Sequence, residues 1–463
     1  MDAQPFSVKR AQVEFHNFAS LGEPETNLRI YAEENTRRGT VIRKHAGFIG
    51  PMTPFLEIGA NAGHTSYMLA NEFGAEGFAL DISADSLRHG RYLMDAWGLQ
   101  KAPVRLAGDA VNLPFADGSL RFACTFQTLS QFMDIEAVFK EVHRVLQPGG
   151  VFLFAEEPLL RKLSLRLYRC PYYETMKPWE RKLFDWGLLG YLVRDVIGAH
   201  QEESFGIRQN HTMGLAEWDA LAKKYFVAQE YDAFVPERGW GERIVKRAAL
   251  SNWRAARWLG GTLAGVLRKA GEAPAGELRE WWERLRCPDC HAPLRLDADV
   301  LRCTGCSYSA ANEGEVYNLL PSAERAELYP GEREDIIDFS LPGHEARLVG
   351  EWYALEGVHG NLYRWMGAKA EARLTRVKAG PQRLRIRGHA HEKSVPGEVR
   401  VVVNGAPLRT FEIDRTGMFV LEADLPDAGE YRVEIHATPT WSVPSDSRTL
   451  SVMLAMIRLV PQA

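Results

Sequence analysis

Long apolar runs are missing from this 463-residue sequence: no stretch approaches the roughly 20 residues that a membrane-spanning helix needs. The opening MDAQPFSVKRAQVEFHNF also lacks the hydrophobic centre of a secretion signal, so the expectation is a soluble, cytoplasmic protein. A dominant charge is missing too. Fifty-six basic against sixty acidic residues leave a net charge of −4, with no general basic field to gather nucleic acid, and any such partner would need a local patch. Cysteine is scarce, at six residues, and four of them fall in two C-x-x-C pairs, which in an unsecreted chain points to zinc rather than disulfides. Cys124 and Cys170 are left over as reduced thiols, Cys124 inside an apolar run where a core role is the plain expectation. Internal repeats and low-complexity tracts are absent.

What is present falls into segments, and the length alone suggests two to four domains. Residues 1–50 are polar with a helical pattern, and Tyr31, Arg37, Arg38 and Arg43 precede the first strong strand, as a lid would. From FLEIG to about residue 157, short apolar runs (GFALDIS, VRLAGDA, RFACTFQTL, GGVFLFAEE) alternate with helical patterns around 64–73, 83–97 and 134–146. Such alternation predicts a doubly wound, mostly parallel α/β sheet covered on both faces. The domain runs over 51–272, with a helical substrate insertion after residue 158 and further strands from FVAQEYDAF and the stretch near Ile244. After the linker-like GEAPAG come the cysteine pairs, in 280–325. Over 340–463 the pattern alternates with period two between Gly, Pro and Asn breaks, which predicts an antiparallel β-sandwich.

The first strand enters a turn, FLEIGANAG, in which Gly59, Asn61 and Gly63 alternate. Glycine, and asparagine after it, tolerates the left-handed backbone that lets amides approach a ligand closely. Asp81 lies 24 residues beyond Glu57, at the end of the next strand, where a doubly wound sheet sets a carboxylate against a ribose diol. A nucleoside ligand is implied, either a dinucleotide or S-adenosylmethionine, and the spacing from Glu57 through Gly59, Asn61 and Gly63 to His64 is a poor fit to G-x-G-x-x-G.

These residues, with GDAVNLPFADGSLRFACTFQTLSQFMD and EVHRVLQPGG further on, resemble the ordered motifs of class I S-adenosylmethionine-dependent methyltransferases over residues 55–155. The resemblance implies a Rossmann-like domain with Glu57 under the turn, Gly59 to Gly63 beneath the cofactor, and Asp81 with Ile82 at the ribose. Asp109 would accept from the adenine amine with Ala110 beside it, and Gln127 would face the methionine part. Where many relatives carry a histidine pair this chain has Ser130 and Gln131. His64 and His143 are expected on helix surfaces.

Cys287, Cys290, Cys303 and Cys306 form two knuckles with twelve residues between the pairs, the pattern of a closed, structural four-thiolate zinc site, with His291 outside the ligand set. With Tyr308 and GEVYNLLP this stretch resembles the small zinc-ribbon proteins that partner and activate methyltransferases. The C-terminal segment resembles, through VVVNG and WSVPSDSRTLSVML, β-sandwiches of bacterial surface-glycan enzymes, and Trp352, Trp365 and Trp441 are candidates for stacking on sugars.

Methyl transfer needs alignment and, for an unactivated hydroxyl, proton removal. Glu157 after the fifth strand and His211 in a polar loop are the candidate bases. The stretch from Glu242 to Lys269 reads as a basic amphipathic helix, either core-facing with a solvated basic face or in contact with a membrane surface or a lipid-linked substrate. The expectation is a methyltransferase acting on a hydroxyl of a glycan or related small molecule. The alternatives are an RNA or protein methyltransferase with a fused ribbon activator, and a non-catalytic scaffold. Against RNA and protein acceptors stands FQTLSQF, where amino-methylating enzymes commonly carry an Asx-Pro-Pro-aromatic turn.

Overall fold

The protein is described from a computed structural model, which defines Lys9, Val13 and residues 24–132, 134–160, 202–203, 207–208, 213–234, 252–272, 280–329, 333–339, 344–358, 361–414, 416–444 and 446–462. The chain divides into two compact units, residues 1–16 with 28–322 and residues 17–27 with 323–463.

In the first unit, α1 (Pro24–Lys44) and α2 (Ala46–Ile49) precede β1 (Phe55–Ile58), α3 (His64–Glu72), β2 (Gly77–Asp81), α4 (Ala84–Arg88), α5 (Gly90–Trp97), β3 (Val104–Ala107), β4 (Leu120–Phe126), α6 (Ile135–Val145) and β5 (Leu146–Leu159). A short hairpin, β6 (Glu202–Glu203) and β7 (Ile207–Arg208), is followed by α7 (Leu215–Tyr225), β8 (Ala228–Phe234), α8 (Asn252–Leu259) and β9 (Gly261–Arg268). Every residue of β1 is buried, as a strand covered by helices on both faces requires. α6 shows how the covering works. Asp134 caps its first turn by accepting from Ala137 N–H, and Ile135, Val138, Phe139, Val142 and Val145 turn one buried stripe inward.

The end of this unit departs from the sequence reading. Of the expected helix over Glu242 to Lys269, residues 242–251 lie outside the described residues, and the rest is α8 followed by β9, which lies between β5 and β8 and runs antiparallel to both. Gly260 and Gly261, with φ of 70° and 127°, break the helix. Leu263, Ala264, Val266 and Leu267 are then buried on both faces of the sheet. An apolar run without period cannot separate a helix from a doubly covered strand. The basic residues at the end of that stretch are bonded within the fold: Arg268 donates to Gly149 O, and Lys269 Nζ donates to the carbonyls of His143 and Leu146, each at 2.6 Å. Ile244 lies outside the described residues.

The cysteine segment belongs to the same unit. It contains β10 (Leu294–Asp297), β11 (Val300–Cys303) and β12 (Ser309–Ala311), paired as an antiparallel meander, and ends in β13 (Val316–Asn318). β13 leaves the meander and pairs in parallel with β3, so the large sheet reads β13-β3-β2-β1-β4-β5-β9-β8. Leu285, Cys287, Leu301, Tyr308, Tyr317 and Leu319 share one apolar core with Leu106, Phe115 and Phe139. The short segment thus borrows a core it could not build alone.

The second unit holds α9 (Ser322–Leu328), which starts on the last residue of the first, and a run of strands: β14 (Ile336–Asp338), β15 (Leu348–Val358), β16 (Asn361–Thr375), β17 (Gln382–Ala390), β18 (Gly397–Val403), β19 (Ala406–Ile413), β20 (Gly417–Asp424), β21 (Glu430–Thr438), β22 (Trp441–Val443), β23 (Asp446–Leu450) and β24 (Val452–Pro461). The strands are antiparallel, as the period-two pattern requires; β22 and β23 pair only with each other, while the rest form one curled nine-stranded sheet, β19-β18-β21-β16-β24-β17-β20 with β14 beside β24 and β15 beside β16, rather than two separately bonded layers. β16 explains this. Its Arg364 and Trp365 pair with β24, whereas its Lys369 to Thr375 pair with β21, so one long strand changes neighbours along its length. At the far edges Arg409 of β19 donates to Glu422 O of β20 at 3.5 Å, bringing the sheet close to a barrel. The candidate sugar-stacking tryptophans are occupied in packing: Trp365 is 8% exposed and meets Trp441 edge-on at 5.6 Å, while Trp352 Nε1 donates to Glu371 O.

Candidate functional site

The carboxyl ends of β1, β2, β3 and β4 open onto a cavity of about 330 Å³, the lower end of the range for small-ligand sites. Gly59, Asn61, Asp81, Ile82, Asp109, Ala110 and Gln127, seven of the nine residues expected at a cofactor, line it.

Backbone bonds set the turn after β1. Gly59 and Ala60 N–H both donate to Leu80 O, at 2.9 and 3.0 Å. Gly59 has φ +71°, and a Cβ there would lie 2.4 Å from Thr128 Oγ1, so only glycine fits between β1 and the turn after β4. Asn61 follows at φ +53°, the left-handed position the sequence allowed for. Asp81 ties the turn to β2: its Oδ2 accepts from Asn61 N–H and its Oδ1 from Ser83 N–H, both at 2.8 Å.

Glu57 and Gly63 lie beneath this surface. Glu57 is buried and accepts from Ser66 Oγ at 2.5 Å, and burial pushes its carboxyl up to about 7 against the pull of that bond. Gly63, at φ +80°, starts α3. The three non-glycine residues Asn61, Gln127 and Glu156 take φ of 53°, 54° and 63° just after β1, just after β4 and near the end of β5. Backbone strain of this kind is concentrated at functional sites.

The adenine-side acid, Asp109, accepts from Val111 N–H through Oδ1 at 3.0 Å, while Lys9 Nζ lies 2.7 Å from Oδ2 with both side chains almost fully buried. Lys9 was not legible as a site residue.

Across the cavity stands a group outside the motifs, two of whose members, Tyr31 and Arg38, belong to the segment read as a lid. Tyr31, Glu34 and Arg38 line the cavity from α1, with His64 from α3. Their spacing of three, then four residues places all three on one helical face, which was the available signal. His64, expected at a helix surface, is 3% exposed and stacks on Tyr31 at 4.4 Å between ring centroids. Its Nε2 lies 2.8 Å from Glu34 Oε2 and 2.6 Å from Arg38 Nη1. Burial pulls the His64 imidazolium down, toward the neutral ring, and pushes the Tyr31 phenol up. Burial also works against ionised Glu34, but His64 and Arg38 outweigh it and leave that carboxyl below its ordinary value.

Of the two candidate bases, one is not described and the other stands apart from this group. His211 lies outside the described residues. Glu157 is fully buried and accepts from Thr128, Leu129 and Ser130 N–H at 2.8, 2.8 and 2.9 Å, so it holds the turn after β4 instead of facing an acceptor. Burial pushes its carboxyl up to about 7 while the three amides pull it down. Cys124 is buried in the core, as expected.

The sulfurs of Cys287, Cys290, Cys303 and Cys306 lie within 4.8 Å of one another, with 3.7 Å between Cys287 and Cys306 and 3.4 Å between Cys290 and Cys303. Tetrahedral zinc with bonds of about 2.3 Å spaces its sulfurs by about 3.8 Å, so the donor set fits a closed structural site.

Residues 56–154 match the family model described as a methyltransferase domain. Norajmaline N-methyltransferase of Rauvolfia serpentina is 28% identical over 128 residues, 28% of this chain and 41% of that one. Demethylmenaquinone methyltransferase of Geobacillus stearothermophilus is 32% identical over 117 residues, 25% of this chain and 50% of that one. The chain thus spans about half, or less, of the length of these curated relatives. Among solved structures, phosphoethanolamine N-methyltransferase 2 of Haemonchus contortus is similar at 18% identity and a TM-score of 0.32, covering 51% of this chain and 53% of that one. The chain carries a class I S-adenosylmethionine-dependent methyltransferase domain, a four-cysteine unit and an antiparallel β-sheet.

Proposed function

We propose that the whole protein is an S-adenosylmethionine-dependent methyltransferase acting on a hydroxyl of a glycan or related small molecule, in a cytoplasmic setting where the four thiolates stay reduced. The observation that carries the reading is the single cavity in which Asp81, Asp109 and the Glu34–Arg38 pair converge. Their chemistry fits the cofactor piece by piece: Asp81 suits a ribose diol, Asp109 an adenine amine, and the acid–base pair an amino-acid zwitterion. When bound, the cofactor supplies an electrophilic methyl group on a sulfonium. The chain's own contribution is alignment and exclusion of water, by the glycine turn below, Gln127 and Gln131 at the rim, and Phe126 and Phe132 as apolar walls. None of the described cavity residues is free and basic enough to name as the proton acceptor.

Small-molecule acceptors are favoured by the turn after β4, Gln127-Thr128-Leu129-Ser130, which is not an Asx-Pro-Pro-aromatic turn. A lipid-linked acceptor at a membrane surface would draw on the basic residues between Glu242 and Lys269, a stretch whose described part is α8 and β9. A second reading, an RNA or protein methyltransferase with a built-in activator, draws on one observation, the pairing of β13 with β3. Transfer of labelled methyl groups from S-adenosylmethionine to panels of glycans, small hydroxylated metabolites, RNA and protein separates the two. Labelling of a hydroxylated small molecule or glycan supports the first reading, and labelling confined to RNA or protein supports the second. A scaffold without catalysis predicts no transfer to any panel.

A further inference from the structure

Glu156 and Glu157 are adjacent in sequence and do opposite things. The pairing of β5 with β9 slips between Phe154 and Glu157, an irregularity that gives Glu156 a left-handed backbone, φ +63°. Glu157 turns inward to the loop after β4, whereas Glu156 reaches α1. There its Oε1 lies 3.3 Å from Arg37 Nε, and its Oε2 lies 3.1 Å from Arg38 Nε and 3.1 Å from Arg38 Nη2. Arg38 is 6% exposed, lies with its guanidinium carbon 4.8 Å from the Phe126 ring centroid, and donates through Nη1 to Thr65 Oγ1 at 2.9 Å. Every described contact of Glu156 is therefore with the helix that supplies the zwitterion-matching pair, and a non-glycine residue keeps an unfavourable backbone to make them.

We propose that Glu156 is a positioning residue for the amino-acid end of the cofactor: it clamps Arg37 and Arg38, and so fixes α1 with Tyr31, Glu34 and the Arg38 guanidinium against the cavity. This rests on the reading that the cavity takes S-adenosylmethionine. A planar guanidinium recognises a carboxylate only in a fixed orientation, and Glu156, bonded to Nε and Nη2 of Arg38, is a charged partner that holds it. Glu156 itself does not line the cavity.

The test compares two ligands that differ only at this end. S-adenosylhomocysteine carries the amino-acid group, and methylthioadenosine has the same nucleoside without it. Calorimetry on the full chain should show Glu156→Gln losing about tenfold or more in affinity for S-adenosylhomocysteine, the effect of removing a charged hydrogen-bond partner, with methylthioadenosine affinity unchanged. Should Glu156→Gln fail to fold, Arg38→Lys, which keeps the charge and loses the fork, is expected to give the same selective loss. Unchanged binding of S-adenosylhomocysteine, or an equal loss for both ligands, overturns the positioning role. If the unsubstituted protein binds neither ligand, it is the cofactor reading that fails first.

Discussion

Asp81 accepts two backbone N–H bonds and still faces the cavity, so it both builds the turn after β1 and presents charge to the ligand. Asp81→Ala is expected to weaken S-adenosylhomocysteine binding by at least tenfold, a charge-assisted hydrogen bond's worth, with the far-ultraviolet spectrum unchanged. Equal affinity in the variant would remove Asp81 from the site. Buried Glu57 and Glu157 give a second prediction. Both carboxyls are raised from 4.5 to about 7, so on raising the pH the unfolded chain releases these protons before the folded one does. Their stabilising contribution is complete below pH 4.5 and is lost as pH climbs to about 7. Glu157→Gln should therefore flatten the decline of the urea midpoint with pH across that window, and parallel curves for variant and unsubstituted protein would contradict it. The acids and glycines of the site were legible because backbone geometry forces them to fixed offsets along two strands. The separate roles of Glu157 and Glu156 were not, since nothing in the pair EE indicates a strand irregularity that sends one side chain inward and the other to α1.

β13 extends the methyltransferase sheet from within the four-cysteine unit, and the contacts run on around the loop that carries Asp109. Leu319 N–H donates to Ala107 O at 2.7 Å on one side of that loop. On the other, Asn112 Nδ2 donates to Pro288 O at 3.1 Å, Arg286 N–H to Pro114 O at 3.1 Å and Ala116 N–H to Arg284 O at 2.8 Å. Pro288 lies inside the first cysteine knuckle, so a metal that orders the knuckle also orders the loop. Removing the metal with a chelator should speed amide exchange over residues 107–116 and weaken S-adenosylhomocysteine binding; unchanged exchange there would show the two elements to be uncoupled. The strands β1 to β4 and the helix α6 were legible from periodicity and capping residues. β9 and the docking of β13 were not: the first is an apolar run without period, and the second depends on a pairing more than 200 residues away in sequence.

For the molecule as a whole, the near-balanced charge offers no general basic field, and the cavity at the ends of β1 to β4 has the size of a small-ligand site. The sheet of the second unit was legible as antiparallel, but its single curled path was not, because alternation reports which face is buried and says nothing of which strand pairs with which. The acceptor was equally illegible: recognition of a sugar or a metabolite rests on shape and on side chains drawn from distant parts of the chain, with no fixed spacing to find.

The central claim is that the cavity over β1, β2, β3 and β4 receives an adenosyl sulfonium cofactor, and isothermal titration of the full chain with S-adenosylhomocysteine tests it most directly. The account predicts saturable binding of one ligand per chain in the micromolar range, about −8 kcal/mol. An absence of measurable heat at millimolar ligand would contradict it.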